Sequence, residues 1–440
     1  MFIPNEIKEL GRLVDDKGGR LFVVGGAIRD HVMGIVPEDF DLLMTGLDKD
    51  VAIRLMNNPK KVIGNAPVFK WRGIDVALGR REINTGDGKQ GFDFIADPNI
   101  TIFEDLIRRD FTVNAMAIDV VTGELIDPFD GLSDIRDRIL RPVSPAFVES
   151  DERVLRGASF AARLEGFVMS DSFWDFAEQM SPDTIAPEQV FRHFEKGMKL
   201  GVKPSRWIEV LDEAGWLEQL FPELHALKFC EQDSEWHPEI WALEHTMHVL
   251  DESEGILMRL AAICHDLGKI HCTVIVDGKI TSPRHEKHIA PTIEFLDHVG
   301  CFETDIRETV ISLVREHMIH SNFKNSQKPS KRAVRRLSQR LRPATIEQLS
   351  ELVRADVSGR PPLPKHMPES MIDILEIAKR EDVTIKPFEP MMQGRHLIKL
   401  GMKPSKQFGI WLKQAEEAEI DGVFDNIDDG MDFLRSLIFD

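Results

Sequence analysis

The chain has 440 residues, 42% hydrophobic and 29% charged, a globular balance that excludes a fibre or a disordered polymer. Its length calls for two to four domains. A formal net charge of −19 excludes a generally adhesive nucleic-acid binder, since neutralising phosphates takes Lys and Arg, while a local basic groove stays compatible with it.

The start, MFIPNEIKELGRLV, is amphipathic and acidic and lacks the features of a signal peptide. No later run is apolar for long enough to span a bilayer. A soluble, cytoplasmic protein with no membrane partner is expected. Four cysteines (Cys230, Cys264, Cys272, Cys301) are sparse and irregularly spaced, so free thiols are expected. With 26 phenylalanines and no tyrosine, no phenolic hydroxyl takes part in any chemistry.

Over roughly the first 140 residues, β-like runs (LFVVGG, DFDLLM, GIDVALG, NAMAIDVV) alternate with helical stretches. LFVV reads as a buried strand, Gly25-Gly26 as a turn and AIRDHVMG as a helix, whose first amides face an anion above the glycines. Arg29, one turn on, can add a charged fork to phosphate oxygens. The next strand carries Asp39 and Asp41 at i and i+2, on one face, with Phe40 and Leu42 directed to the core. Such carboxylates repel unless a cation sits between them, and Mg²⁺, which takes oxygen ligands and keeps substrate phosphates in its shell, suits the pair. Asp75, in GIDVALGR, is a candidate third carboxylate.

From about 149 onward apolar residues recur at helical spacing, as in RVLRGASFAARL and WIEVLDEAGWLEQLF, so the remainder is expected to be helical. Breaks near 222–240 and in PPLPKHMP (361–368) suggest boundaries, and VIVDGKI (274–280) reads as a hairpin. WHPEIWALEHTMHVLDES followed by RLAAICHDLGK offers His245, His265 and Asp266, with the distant Asp356, as mixed nitrogen and oxygen ligands for a divalent metal. A lone His-Asp is otherwise a hydrogen-bonded core pair. KPSKRAVRRLSQRLRP (328–343), with seven basic residues and no acid, reads either as a solvated helix face or as an RNA contact. In the tail, Gly394 and Gly401 fit turns flanking a short helix. A packing element is the first reading there, an RNA contact through Lys399, Lys403 and Lys406 the second.

The opening motifs, together with RRDFTVNAMAID (108–119), DPFDGLSDIRDRILRPVSPAF (127–147) and ERVLRGASFAARL (152–164), resemble the nucleotidyltransferase superfamily that includes DNA polymerase beta. More closely, they resemble the class II tRNA nucleotidyltransferases (CCA-adding enzymes) and their relatives, the bacterial poly(A) polymerases. The resemblance implies an α+β, polymerase-beta-like catalytic domain (1–140) followed by all-α parts: a neck that selects the nucleotide (141–225), a further domain (226–365) and a tail (366–440). Asp39 and Asp41 would hold two Mg²⁺ ions, with Asp75 a third catalytic carboxylate. Gly25, Gly26, Arg29 and Asp30 would line the phosphate site, and Arg109, Asp110 and Asn114 would grip the ribose through its 2′-hydroxyl. Family members read C or A with a Glu-Asp-x-x-Arg-x-x-Arg pattern. In ESDERVLR, Glu149, Arg153 and Arg156 match, but Ser150 replaces the aspartate and lacks a carboxylate's two acceptor oxygens. Asp151 is the candidate substitute. Ser159 stands where an arginine is usual.

The second cluster resembles the HD phosphohydrolase superfamily, with His285 and His288 (PRHEKHIAP) and His317 (REHMIH) at its secondary positions and RADVSGR as its closing aspartate motif. That implies a divalent metal activating water against a phosphoester, or a metal-loaded RNA-binding scaffold. The expected function is template-independent completion or repair of the 3′-terminal CCA of tRNA from CTP and ATP. Poly(A) addition is the alternative within transferases, and the acidic ending NIDDGMDFLRSLIFD favours the tRNA reading over it. The other alternative is a phosphohydrolase whose first domain serves RNA binding.

Overall fold

The computed structural model describes residues 3–37, 39–57, 59–61, 67–84, 92–323 and 328–439. They form two compact units: the first runs to residue 186 and takes in 200–216, and the second comprises 187–199 and 217 onward.

In the first unit, β1 (Arg20–Val24) is covered on both faces, Leu21, Phe22, Val23 and Val24 all being buried, which its unbroken apolar run requires. After β1 follow β2 (Asp41–Thr45), β3 (Lys60–Lys61), β4 (Val68–Trp71), β5 (Ile74–Leu78), β6 (Arg80–Asn84), β7 (Phe92–Ala96), β8 (Ala117–Asp119) and β9 (Leu125–Ile126). Seven of them make one mixed sheet, in the order β3-β4-β5-β2-β1-β8-β9, while β6 and β7 pair as a separate hairpin. β2 lies antiparallel to β1 and parallel to β5. Phe22, Val24, Leu43, Leu106, Ala115 and Ala117 form one cluster in this head. Deleting a ring such as Phe22 from it would cost about 3–5 kcal/mol.

Helix Glu152–Arg163 buries Val154, Leu155, Ala158, Ala161 and Ala162 and packs on helix Ser205–Glu213. Beneath it Phe111 touches Phe147, Phe160 and Phe173, with ring centroids 5.5, 5.7 and 6.1 Å apart. Rings without hydroxyls suit this dry contact, because nothing polar is left to satisfy. Ser159 is absorbed into the helix, its Oγ donating to Leu155 O at 2.9 Å.

The second unit is helical apart from the hairpin Val274–Val276/Lys279–Thr281, at the place read from the sequence. Val249, Ala261, Leu313, Leu337, Leu349 and Ile374, each from a different helix, share its core. The tail helices Gly394–Lys399, Lys406–Ile420 and Ile427–Phe439 gather around Met392, Leu397, Ala415, Phe424 and Leu434, so this segment is a packing element. The basic stretch contains helix Lys331–Arg340, and six of its seven charges are answered by acids. Arg332 and Arg336 pair with Asp421 at 2.8 and 3.0 Å, Arg335 and Lys331 with Glu381, Arg340 with Glu316 and Lys328 with Asp373. Arg335 also donates to Glu419 O at 2.7 Å, so this helix anchors the tail. All four cysteines are free, and no described helix is long and apolar enough to cross a membrane.

Candidate active sites

Two clusters collect the residues singled out in the sequence. The first lies at the end of β1. There Gly25 adopts φ +77°, a left-handed conformation open to glycine, and caps helix Gly26–Val32. A Cβ at Gly25 would stand 3.1 Å from Arg109 Nη1 and 3.9 Å from Asp41 Oδ2, so any side chain here would crowd the pair.

The register then brings the acids together. Asp41 is opposite Val24 of β1 and, on its other side, opposite Asp75 of β5. The strand starts at Asp41, however, and Asp39 precedes it as an exposed residue outside the ladder, where the sequence had suggested a strand position. Phe40 is half-buried in that same segment. The Asp41 carboxyl is pushed above the usual carboxylate range by burial and by the charges of Asp75 and Asp39, partly offset by Arg109 and Lys70. Lys70 reaches Asp75 at 2.9 Å. An acid raised in this way by two neighbouring carboxylates belongs to a donor set that fits a hard, oxygen-seeking cation.

Beside them sits a lattice of buried charge. Arg29 is 4% exposed, and its fork is spent within the protein: Nε and Nη2 donate to Asp30 Oδ1 at 2.9 and 2.6 Å, and Nη1 to Asn114 Oδ1 at 2.7 Å. The sequence reading had this fork facing phosphate; three of its five N–H donors are instead taken by Asp30 and Asn114. Asp110, also buried, accepts from the Phe111 amide at 2.8 Å and from Arg156 Nε at 2.7 Å. Arg109 is held by Asp105 at 3.0 Å. Arg153 donates Nη2 to Arg108 O at 2.7 Å and Nη1 to Ala146 O. Arg29, Arg156 and Arg163 surround the Phe160 ring at 5.4, 6.0 and 5.9 Å. Glu149 is exposed and Ser150 half-buried. Asp151 does not stand in for the missing aspartate: it is buried, accepting from Thr184 Oγ1 at 3.0 Å and from the Ser181 amide at 3.4 Å.

Burial pushes the Asp110 carboxyl up, but Arg156, the Phe111 amide and Asn114 outweigh it and hold it below the usual range. A folded pKa below the unfolded one stabilises the protein above the unfolded value, and that stability is lost as pH falls through the folded value. Asp110→Asn is therefore expected to unfold at lower urea than the native protein at pH 7, with the gap narrowing as the pH falls below the ordinary carboxylate range. A gap independent of pH would contradict this assignment.

The second cluster is deeper. His245, His265, Asp266, Asp356 and His317 are 0–4% exposed and His285 is 6% exposed. Nε2 of His265 is 3.4 Å from Nε2 of His245 and 3.2 Å from Asp266 Oδ2. Nε2 of His245 is 3.2 Å from Asp356 Oδ1. Asp266 turns its other oxygen, Oδ1, to His285 Nε2 at 3.1 Å, and that nitrogen is 3.1 Å from His317 Nε2. Among the described residues, His245/His265/Asp356 and Asp266/His285/His317 each bring their donor atoms within 4.8 Å of one another. The outward Nδ1 atoms of His265, His285 and His317 lie 2.7, 3.0 and 2.7 Å from the carbonyls of Ala262, Ser282 and Val314. With the proton on Nδ1, the inner nitrogens are bare lone pairs facing each other, an arrangement that a cation resolves. Burial, with the imidazoles of His285 and His265, pushes His317 down to about 3, which keeps it neutral and able to ligate.

His288 is exposed and belongs to neither set, which corrects its nomination from the sequence. Unnominated residues complete the site. Lys269 reaches Asp266 at 2.7 Å, Arg360 reaches Asp356 at 2.8 Å, and Glu239 backs His245 at 2.8 Å. The lysine of HDLGK and the arginine of RADVSGR were visible as basic residues inside the motifs, whereas Glu239 gave no signal of its own. A cavity of about 280 Å³ opens beside Asp266, lined by Gln232, Trp236, His237, Lys269 and Arg360.

Residues 21–141 match the poly A polymerase head domain family. The chain is 36% identical over 311 residues to the multifunctional CCA protein of Janthinobacterium sp. (strain Marseille), covering 68% of this chain and 73% of the relative. It is 36% identical over 357 residues to that of Laribacter hongkongensis (strain HLHK9), covering 78% and 85%. In fold it is similar to the Bacillus stearothermophilus CCA-adding enzyme in complex with CTP, with a TM-score of 0.68, 19% identity and 99% and 98% of the two chains covered. It is also similar to the Thermotoga maritima CCA-adding enzyme complexed with tRNA-CCA, with a TM-score of 0.59, 18% identity and 98% and 95% covered.

Proposed function

The chain belongs to the multifunctional CCA protein family, and from that premise we propose that it adds or repairs the 3′-terminal CCA of tRNA, using CTP and ATP and no template. The observation that carries the reading is the register that sets Asp41 beside Asp75 next to the Gly25 turn, with Asp39 two residues before it. Asp39 and Asp41 would hold two Mg²⁺ ions. Such ions, when bound, lower the pKa of the attacking 3′-hydroxyl and offset the charge of the triphosphate and the departing pyrophosphate. Asp75, tied to Lys70, adds negative potential beside them. Gly25 and Gly26 would line the phosphate site, the Gly25 amide itself being held by Met116 O at 3.3 Å, and Arg29 fixes Asp30 and Asn114. Asp110 and Arg156 pair as a rigid wall, with Arg109 and Asn114 toward the ribose. Glu149, Arg153 and Arg156 remain the candidates for base reading.

We keep the division into catalytic domain (1–140), neck (141–225), HD domain (226–365) and tail (366–440), and place the protein in the cytoplasm. In the HD domain His245, His265, Asp266 and Asp356 would hold a divalent ion. A donor set that mixes imidazole nitrogens with carboxylates suits a first-row transition metal better than Mg²⁺. Lys269 and Arg360 then offer positive charge to a phosphoester in the adjoining cavity, and the site hydrolyses it.

The test is to incubate the protein with tRNA lacking its last three, two or one nucleotides, with CTP, ATP or both, and to read product lengths. Extension that stops at CCA is expected. A ladder of adenosines would show poly(A) addition instead, and phosphate release untouched by Asp39→Ala, without extension, would leave only the hydrolase.

Base choice supplies a separate test. Ser150→Asp restores a carboxylate at the neck and is expected to change C against A incorporation. Asp151→Ala, by removing the acceptor of the Ser181 amide and the Thr184 hydroxyl, costs about 0.5–1.5 kcal/mol of stability and leaves selectivity alone. Unaltered selectivity in Ser150→Asp would mean that position 150 does not read the base.

A further inference from the structure

The four imidazoles of the second cluster are anchored in two ways. His265, His285 and His317 rest their Nδ1 atoms on backbone carbonyls. Nδ1 of His245 lies closer to a charged acceptor, 2.8 Å from Glu239 Oε1, than to the carbonyl of Gly359 at 3.2 Å. Glu239 comes from the loop before helix Ala242–Asp251 and is 7% exposed. Its Oε1 also takes Nδ1 of His237 at 2.9 Å.

His237, Glu239 and His245 bring donor atoms within 4.8 Å of one another, so they too could be taken for a metal set. His245 argues against that. Its Nε2 already faces Asp356 and His265, and serving a second ion through Nδ1 would need both ring protons removed. A carboxylate behind a ligating imidazole does something else: it fixes the proton on Nδ1, holds the ring in plane and makes Nε2 a better donor.

We propose that Glu239 is a positioning residue that presents Nε2 of His245 to a divalent metal. This rests on the reading of the cluster as a metal site. The test is Co²⁺ binding by the full chain, measured by competition with a chromophoric chelator and by the visible absorption of nitrogen-ligated Co²⁺. Glu239→Ala is expected to weaken Co²⁺ binding about 10–100-fold. Glu239→Gln, which keeps an acceptor oxygen without the charge, should fall between it and the native chain. His237→Ala, which takes away the other donor to Glu239, should bind as the native chain does. Nucleotide addition by all three variants reports that they are folded. Native affinity in Glu239→Ala would overturn the proposal, and so would an equal loss in His237→Ala, because Glu239 would then only pin its loop. His265→Ala separates the two levels: if it too binds Co²⁺ normally, the metal reading falls and takes the proposal with it. If it alone loses Co²⁺, the metal reading stands and the role of Glu239 does not.

Discussion

Asp41→Asn is expected to lower the rate of CTP addition to a shortened tRNA by roughly three orders of magnitude, since metal stabilisation is worth several kcal/mol and each 1.36 kcal/mol is about tenfold in rate. Stability should move the other way. Asp41 is raised above the usual carboxylate range by burial and by Asp75 and Asp39, so the charge is a burden to the metal-free fold. The variant should therefore melt at or above the native temperature without metal, and should lose the stabilisation that Mg²⁺ gives the native chain by mass action. A variant that lost activity by unfolding would melt lower, and the two outcomes are told apart in a single thermal scan. Retention of near-native rates would remove Asp41 from the chemistry.

Asp266→Asn is expected to abolish phosphoester hydrolysis while CCA addition continues. Asp266 turns one oxygen to His265 and Lys269 and the other to His285, so this member of the second donor set also touches a histidine of the first. Without metal its carboxyl is held far below the usual range: burial pushes it up, and His265, Lys269 and His285 around it outweigh that. Neutralising it leaves a buried Lys269 without its counter-charge, and breaking such a pair costs about 3–5 kcal/mol. In contrast to Asp41→Asn, this variant should melt lower. Hydrolysis that survives Asp266→Asn would place that activity elsewhere. The opposite signs in melting reflect what each acid meets in the fold: like charges around Asp41, cations around Asp266.

What the sequence disclosed was local. The strand, glycine turn and helix around Gly25, the hairpin at 274–281 and the short helix between Gly394 and Gly401 are each encoded within a few residues. So is the contrast between a strand-rich head and a helical remainder, which appears as a change of period. What lay hidden was non-local. The adjacency of Asp41 and Asp75 follows from a parallel pairing that no single strand announces. Arg29 looked like a phosphate fork because its partner Asn114 is 85 residues away, and Asp110 and Arg156 are separated by 46. Asp151, next to the vacant family position, looked available until its contacts with Ser181 and Thr184 showed it committed. Charge counting left two readings open for the 328–343 stretch, because the acids that pair with it come from distant segments such as Glu381 and Asp421. His288 shared a motif with His285, but the chain turns it outward.

Whether Asp39 and Asp41 hold the catalytic ions is decided by crystals grown with Mn²⁺ and a non-hydrolysable CTP analogue, with the metal located by anomalous scattering. Manganese is expected to be held by the Asp39 and Asp41 carboxylates, beside Gly25 and against the triphosphate. Manganese confined to the histidine cluster, with the nucleotide bound and the two aspartates turned away from it, would remove both aspartates from the chemistry.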